Sequence, residues 1–115
     1  MVDDEKSILQ LSAYALSING FQVETASDGN EGMRKFSEGR FDLVITDILL
    51  NGTDGRDFLR RIRSSDKPKT PVIGVSGTPW LLENTDFDHV LEKHFSIHHL
   101  IDSVQGLIKH GIPEA

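Results

Sequence analysis

The chain has no cysteine. That excludes disulfides, a thiolate nucleophile and cysteine-based zinc sites. No apolar run approaches the length of a membrane span, and the opening residues carry no signal-peptide pattern. A cytoplasmic protein without a membrane partner is therefore expected. A basic excess is lacking too: 12 Lys and Arg stand against 18 Asp and Glu, a formal net charge of −6. Contact with nucleic-acid phosphates needs a surplus of Lys and Arg on some face, so direct nucleic-acid binding is not expected. The densest basic group is Arg56, Arg60, Arg61, Arg63, Lys67 and Lys69. It falls on and just after one helical pattern and reads as a solvated face. There are no repeats, linkers or low-complexity tracts. The 115 residues, 37% of them hydrophobic, suit one domain over 1–115.

Short β-like runs alternate with helical ones, the pattern of an α/β domain built on a parallel sheet. Ile8, Leu9, Ala13 and Leu16 recur at helical spacing from Glu5 to Asn19, and Asn19-Gly20 is a stop signal. Phe21–Ala26 alternates with period two, as a strand does. A weaker helix is expected from about Asn30 to Ser37. Leu43–Thr46 and Pro71–Ser76 are continuous apolar runs, the mark of strands covered on both faces. A helix over Gly55–Ser64 turns Phe58, Leu59 and Ile62 inward, and Val90–Glu92 is the last strand. The final helix follows Ser96, a suitable N-cap, with Ile97, Leu100, Ile101, Val104, Leu107 and Ile108 in one stripe. The first strand is nearly missing, because the chain opens Met1-Val2-Asp3. Gly77–Phe87 has no helical period.

In open parallel α/β sheets, ligands bind beyond the carboxyl ends of the strands. Asp47 ends the Leu43–Thr46 run, Asp3 and Asp4 end the first strand, Ser76 ends the Pro71 run and Lys93 follows Val90–Glu92. Neighbouring strands lie about 4.8 Å apart, so acids at adjacent strand ends are forced together. Two like charges about 4 Å apart repel by roughly 4 kcal/mol at an effective dielectric of 20. Proton uptake by one acid relieves this. A divalent cation relieves it better at an open, wet edge, and oxygen-only ligands favour a hard ion such as Mg²⁺.

The run Val2-Asp3-Asp4-Glu5, the acid closing Val44-Ile45-Thr46-Asp47, Gly55, the hydroxyl in Val75-Ser76-Gly77 and the late Lys93 resemble the receiver domain of two-component response regulators. The resemblance spans nearly the whole chain. It implies a flavodoxin-like, doubly wound, five-stranded parallel sheet of order 2-1-3-4-5. It also implies that Asp47 accepts a phosphoryl group from a histidine kinase or phosphotransfer protein and that the domain switches a surface read by a downstream effector. Asp4 would bind Mg²⁺ directly, Asp3 largely through water, and the backbone carbonyl of Leu49 would be a further ligand beside Asp47. Lys93 and Ser76 would contact phosphoryl oxygens, and Gly77 would leave room beside them. Such a domain assists its own phosphorylation and dephosphorylation but is not an enzyme with a separate substrate.

The pattern also departs from the family. His94 replaces the usual proline after the lysine, which makes a trans Lys93–His94 bond the expectation. Val90 stands where an aromatic switch residue is usual, with Phe87 or Trp80 as substitutes. The interval from Ser76 to Lys93 is short, so a short or distorted fourth helix around Leu81 and Leu82 is expected. The truncated first strand would leave backbone groups of a central position unpaired, which calls for residues before Met1 or a strand from another chain. His94, His98 and His99 read as exposed histidines rather than a metal site. These departures keep open an alternative, a receiver-like adaptor that works without phosphorylation. A haloacid-dehalogenase-like phosphatase would need an acid where Leu49 stands, and a flavin protein would need a phosphate loop where Asp3-Asp4-Glu5 stands.

Overall fold

The computed structural model describes residues 1–50, 53–78, 86–93 and 95–111. The expected fourth helix, Trp80 and the Lys93–His94 bond lie outside these residues. In chain order the elements are α1 (Lys6–Ile18), α2 (Gly29–Glu38), β1 (Val44–Asp47), β2 (Leu49–Leu50), β3 (Thr53–Asp54), α3 (Gly55–Arg63), β4 (Val72–Ser76), β5 (His89–Glu92) and α4 (Ile97–Gly111).

β1, β4 and β5 form a parallel sheet in that order, with Val44 opposite Val72 and Asp47 opposite Val75, and then Ser76 opposite Glu92. Every residue of β1 and β4 is buried. The period-two geometry of a strand splits their side chains between two cores. Val44 and Val72 join Val2, Ala26, Phe36, Phe58, Leu59 and Ile62 under α2 and α3. Ile45, Ile73 and Val75 join Leu16, Leu91, Leu100 and Val104 under α1 and α4. Helices on both faces explain why these strands read as unbroken apolar runs.

The first strand exists as a stub. Val2 makes parallel bridges to Ala26 on one side and Thr46 on the other. Val2 N–H donates to the Ile45 carbonyl at 2.8 Å, Asp47 N–H to the Val2 carbonyl at 2.9 Å, and Ala26 N–H to the Met1 carbonyl at 2.9 Å. The spatial order is therefore Ala26, Val2, β1, β4, β5, which is the 2-1-3-4-5 order. The expectation of an unpaired central position is corrected in part: three residues occupy its carboxyl half. Beyond them a cavity of about 590 Å³ opens between Phe21–Glu24 and Arg40–Leu43. The period-two segment Phe21–Ala26 forms no continuous strand: it meets the stub through the Ala26 bridge and through the Glu24 carbonyl, which accepts from the Met1 ammonium at 2.8 Å.

Side-chain caps fix the starts of α2, α3 and α4. Asp28 accepts from Glu31 N–H at 2.8 Å, Asp54 from Arg56 N–H at 2.8 Å, and Ser96 Oγ from His99 N–H at 3.0 Å. α1 ends at Asn19, and Gly20 follows with φ 93°, a left-handed conformation suited to glycine.

Two members of the basic group are not solvated-face residues. The Arg63 guanidinium donates to the carbonyls of Pro68, Thr70 and Asp86 and to Asp88 Oδ2, and that same oxygen accepts Val72 N–H at 2.7 Å. This clasp holds the start of β5 beside β4. Lys67 Nζ donates to the carbonyls of Phe36 and Gly39 at 3.0 and 2.6 Å. Phe87, a possible stand-in for the aromatic switch, packs into the core beneath α3.

Candidate functional site

β1 delivers Asp47 to the carboxyl edge of the sheet, where its side chain is only 2% exposed. The stub delivers Asp3, buried, and Asp4, half-buried, to the same place. Asp3, Asp4 and Asp47 each offer a carboxylate oxygen, and these oxygens all lie within 4.8 Å of one another. β5 hands the chain to Lys93, whose N–H donates to the Ser76 carbonyl at 2.7 Å. Its ammonium donates to Asp47 Oδ2 at 3.1 Å and lies 3.1 Å from Glu5 Oε1. Leu49 N–H donates to Asp47 Oδ1 at 3.2 Å. Both oxygens of the buried Asp47 carboxylate are thus partnered, which is what burial of a charge requires.

Ser76 ends β4 one residue beyond the partner of Asp47. Its Oγ accepts Thr78 N–H at 3.0 Å and lies 3.4 Å from Thr78 Oγ1. Leu49, two residues past Asp47, pairs with Asp54 and is 76% exposed. A side chain at Gly77 would meet nothing within 4 Å among the described residues.

The electrostatics follow from crowding. Burial pushes the Asp3 carboxyl up to about 6, assisted by the charges of Asp47 and Asp4 and opposed by Glu5 N–H, which donates to Asp3 Oδ1 at 2.9 Å, and by Lys93. Burial alone would lower the Lys93 pKa, but its bonds to Asp47 and Glu5 outweigh that and raise it, so it stays an ammonium at neutral pH.

Gly55 explains how Asp47 is seated. A Cβ added there would collide with the backbone carbonyl of Asp47 and come within 2.9 Å of Ile48 Cα, while Gly55 N–H donates to the Ile48 carbonyl at 2.8 Å. Glycine lets α3 start directly against the end of β1. Gly55→Ala is expected to destabilise the domain by roughly 1–3 kcal/mol, since backbone must move to admit the methyl. Urea unfolding checks this, and an unchanged midpoint contradicts it.

The structure therefore gathers Asp3, Asp4, Asp47 and Lys93, places Ser76 at the same edge, and adds one residue that the sequence reading did not single out for this role: Glu5. The only signal for it was its place next to Asp3 and Asp4. Of the histidines, His98 is exposed beside Asp102 at 3.4 Å, and His89 and His99 meet edge to face at 6.5 Å. They form no metal cluster among the described residues.

A parallel sheet covered on both faces, with acids at the central strand end and a lysine reaching them from the last strand, defines a doubly wound α/β domain with an acidic site at its carboxyl edge. The chain matches the response regulator receiver domain family over residues 1–105, and it belongs to that family. It is 32% identical over 114 residues to the transcriptional regulatory protein TrcR of Mycobacterium tuberculosis, covering 95% of this chain and 44% of that protein. It is 34% identical over 91 residues to the alkaline phosphatase synthesis transcriptional regulatory protein PhoP of Bacillus subtilis, covering 79% of this chain and 35% of that one. The chain thus spans less than half the length of these relatives. Among solved structures it is similar to the chemotaxis response regulator CheY4 of Vibrio cholerae, at TM-score 0.86 and 29% identity over 92% of this chain and 93% of that one. It is also similar to the response regulator TrrA of Thermotoga maritima, a structure in complex with Mg²⁺ and BeF, at TM-score 0.82 and 30% identity over 92% and 94%. The chain is a receiver domain of the two-component signalling class. No helix among the described residues is long and apolar enough to cross a membrane.

Proposed function

We propose that Asp47 is the residue of this receiver domain that accepts the phosphoryl group. The observation that carries this reading is a buried carboxylate at the end of the central strand, bonded to Lys93 and within 4.8 Å of two further acids. In the reaction, an Asp47 oxygen attacks the phosphorus of a phosphohistidine on a histidine kinase or phosphotransfer protein. The phosphorus–nitrogen bond breaks, the imidazole keeps the electron pair, and an aspartyl phosphate remains. A carboxylate is a competent nucleophile for this, and phosphoryl transfer depends mainly on positioning and charge neutralisation.

The three carboxylates fit a hard cation: their oxygens are close together, and in its absence Asp3 is driven toward protonation. Asp4 and Asp47 would hold Mg²⁺ directly, with the Leu49 carbonyl, and Asp3 largely through water. The ion supplies charge neutralisation to the phosphoryl oxygens. Lys93 supplies a point charge on the same group. The Ser76 hydroxyl accepts from Thr78 N–H and keeps its own proton to donate, so a phosphoryl oxygen can receive it without breaking that bond. Movement of Ser76 toward the phosphoryl group would reshape the surface presented to a downstream effector.

The test is incubation with radiolabelled acetyl phosphate, with and without Mg²⁺. The expected result is base-labile label that depends on Mg²⁺. Asp4→Ala is expected to weaken Mg²⁺ binding roughly tenfold or more, read by calorimetry. A folded wild-type chain that gains no phosphate would instead favour the adaptor reading.

A further inference from the structure

We infer that Glu5 is a positioning residue that holds Lys93 in the resting state and competes for it with the phosphoryl group; this rests on the reading of Asp47 above. Lys93 spans the site from floor to mouth. Its ammonium is 3.1 Å from Asp47 Oδ2, which is buried, and 3.1 Å from Glu5 Oε1, whose side chain is 48% exposed. The backbone of Glu5 is firmly placed, because its N–H is bonded to Asp3 Oδ1 and its carbonyl accepts Leu9 N–H at 3.1 Å in the first turn of α1, and from there its side chain reaches Lys93. The short acidic run that brings Asp3 and Asp4 to the site therefore also fixes a third carboxylate at its mouth.

The two partners of Lys93 fare differently when Asp47 is phosphorylated. The Asp47 oxygen that bonds phosphorus loses its share of the negative charge, and new anionic oxygens appear beyond it. Glu5 does not change. It keeps its claim on the ammonium and directs it outward, away from the group that now needs it. An ion pair this exposed is weak, enough to set the balance of an equilibrium by a few fold and too little to lock it. Glu5 thereby weakens the hold of the site on a phosphoryl group through Lys93, on top of any direct repulsion.

Beryllofluoride with Mg²⁺ serves as a reversible probe of the phosphoryl-bearing state, its affinity measured by calorimetry. Glu5→Gln keeps the size and an acceptor oxygen but removes the charge. It is expected to tighten beryllofluoride binding about threefold. In a Lys93→Met background, which retains the apolar stem, the same change is expected to have no effect. A second cycle uses urea unfolding of the Mg²⁺-free chain. There the coupling between residues 5 and 93 is expected to be favourable, the opposite sign to that seen in beryllofluoride binding. Unchanged or weaker binding by Glu5→Gln overturns the inference. So does an equal gain with methionine at 93, since that is repulsion without Lys93, and so does a zero coupling in the Mg²⁺-free chain. If the wild-type chain binds no beryllofluoride, the Asp47 reading and this inference fall together. If it binds and Glu5→Gln changes nothing, only this inference falls.

Discussion

Asp47→Asn is expected to abolish phosphate incorporation while leaving the domain folded. The carboxamide has almost the shape of the carboxylate, and its oxygen still accepts Leu49 N–H, the bond that Asp47 Oδ1 accepts at 3.2 Å. What it lacks is nucleophilic charge. The neighbouring acids are committed elsewhere: Asp3 is buried and bonded to Glu5 N–H, Glu5 is engaged by Lys93, and Asp4, half-buried beside them, would be taken up by the metal. The loss should therefore reach the background of the assay rather than a fractional decrease. Lys93 loses one of its two carboxylate partners but keeps Glu5, so the cation is not stranded. Labelling with acetyl phosphate and Mg²⁺, quenched with and without hydroxylamine, measures the loss, and circular dichroism checks the fold. An Asp47→Asn chain that labels like wild type would contradict the assignment.

The second large effect concerns Asp3 and pH in the absence of Mg²⁺. Burial among like charges raises its carboxyl from the ordinary 3.8 to about 6 in the folded chain. A folded-state value above the unfolded one means that the folded chain binds more protons between those two pH values. Stability from this group is then present at low pH and lost as pH rises from about 4 to about 6. The interval from 3.8 to about 6 caps this contribution at roughly 3 kcal/mol. Asp3→Asn removes the charge and keeps an acceptor for Glu5 N–H. Without Mg²⁺ it is expected to be more stable than wild type at pH 7, by at most about 3 kcal/mol, with the advantage gone near pH 4. Saturating Mg²⁺ should reverse the order at pH 7, because only wild type offers the full acid set. Urea unfolding at pH 4, 5.5 and 7 decides it. An advantage for Asp3→Asn that is constant across pH would show that charge is not its source.

In the sequence Asp47 stands out as an acid closing an apolar run. It is legible because β1 and β4 are buried on both faces and place a charged residue only at the end. The stripe from Ile97 to Ile108 and the stop at Gly20 were legible for similar local reasons. Other features are set by contacts distant in sequence and left little local trace. The stub Met1–Asp3 is too short to show a period, yet its hydrogen bonds to both neighbours define the sheet order. Phe21–Ala26 has the right alternation but meets its neighbour only at Glu24 and Ala26 among the described residues, because pairing depends on a partner and not on pattern. The antiparallel pair β2–β3 beside the site gave no signal. Arg63 looked like one more surface charge, since Asp86 and Asp88, which it clasps, are distant along the chain. Glu5 was read as part of an acidic run, and only the return of the chain at Lys93 gives it a distinct partner.

The claim on which all else depends is that three aspartates at one strand edge hold Mg²⁺ while Asp47 receives the phosphoryl group. The most direct measurement is a crystal structure of the chain with Mg²⁺ and beryllofluoride. The expected result has the metal among Asp3, Asp4 and Asp47, and beryllium attached to an Asp47 oxygen with Lys93 on a fluorine. Beryllium on another residue, or Mg²⁺ bound away from these three acids, would contradict it.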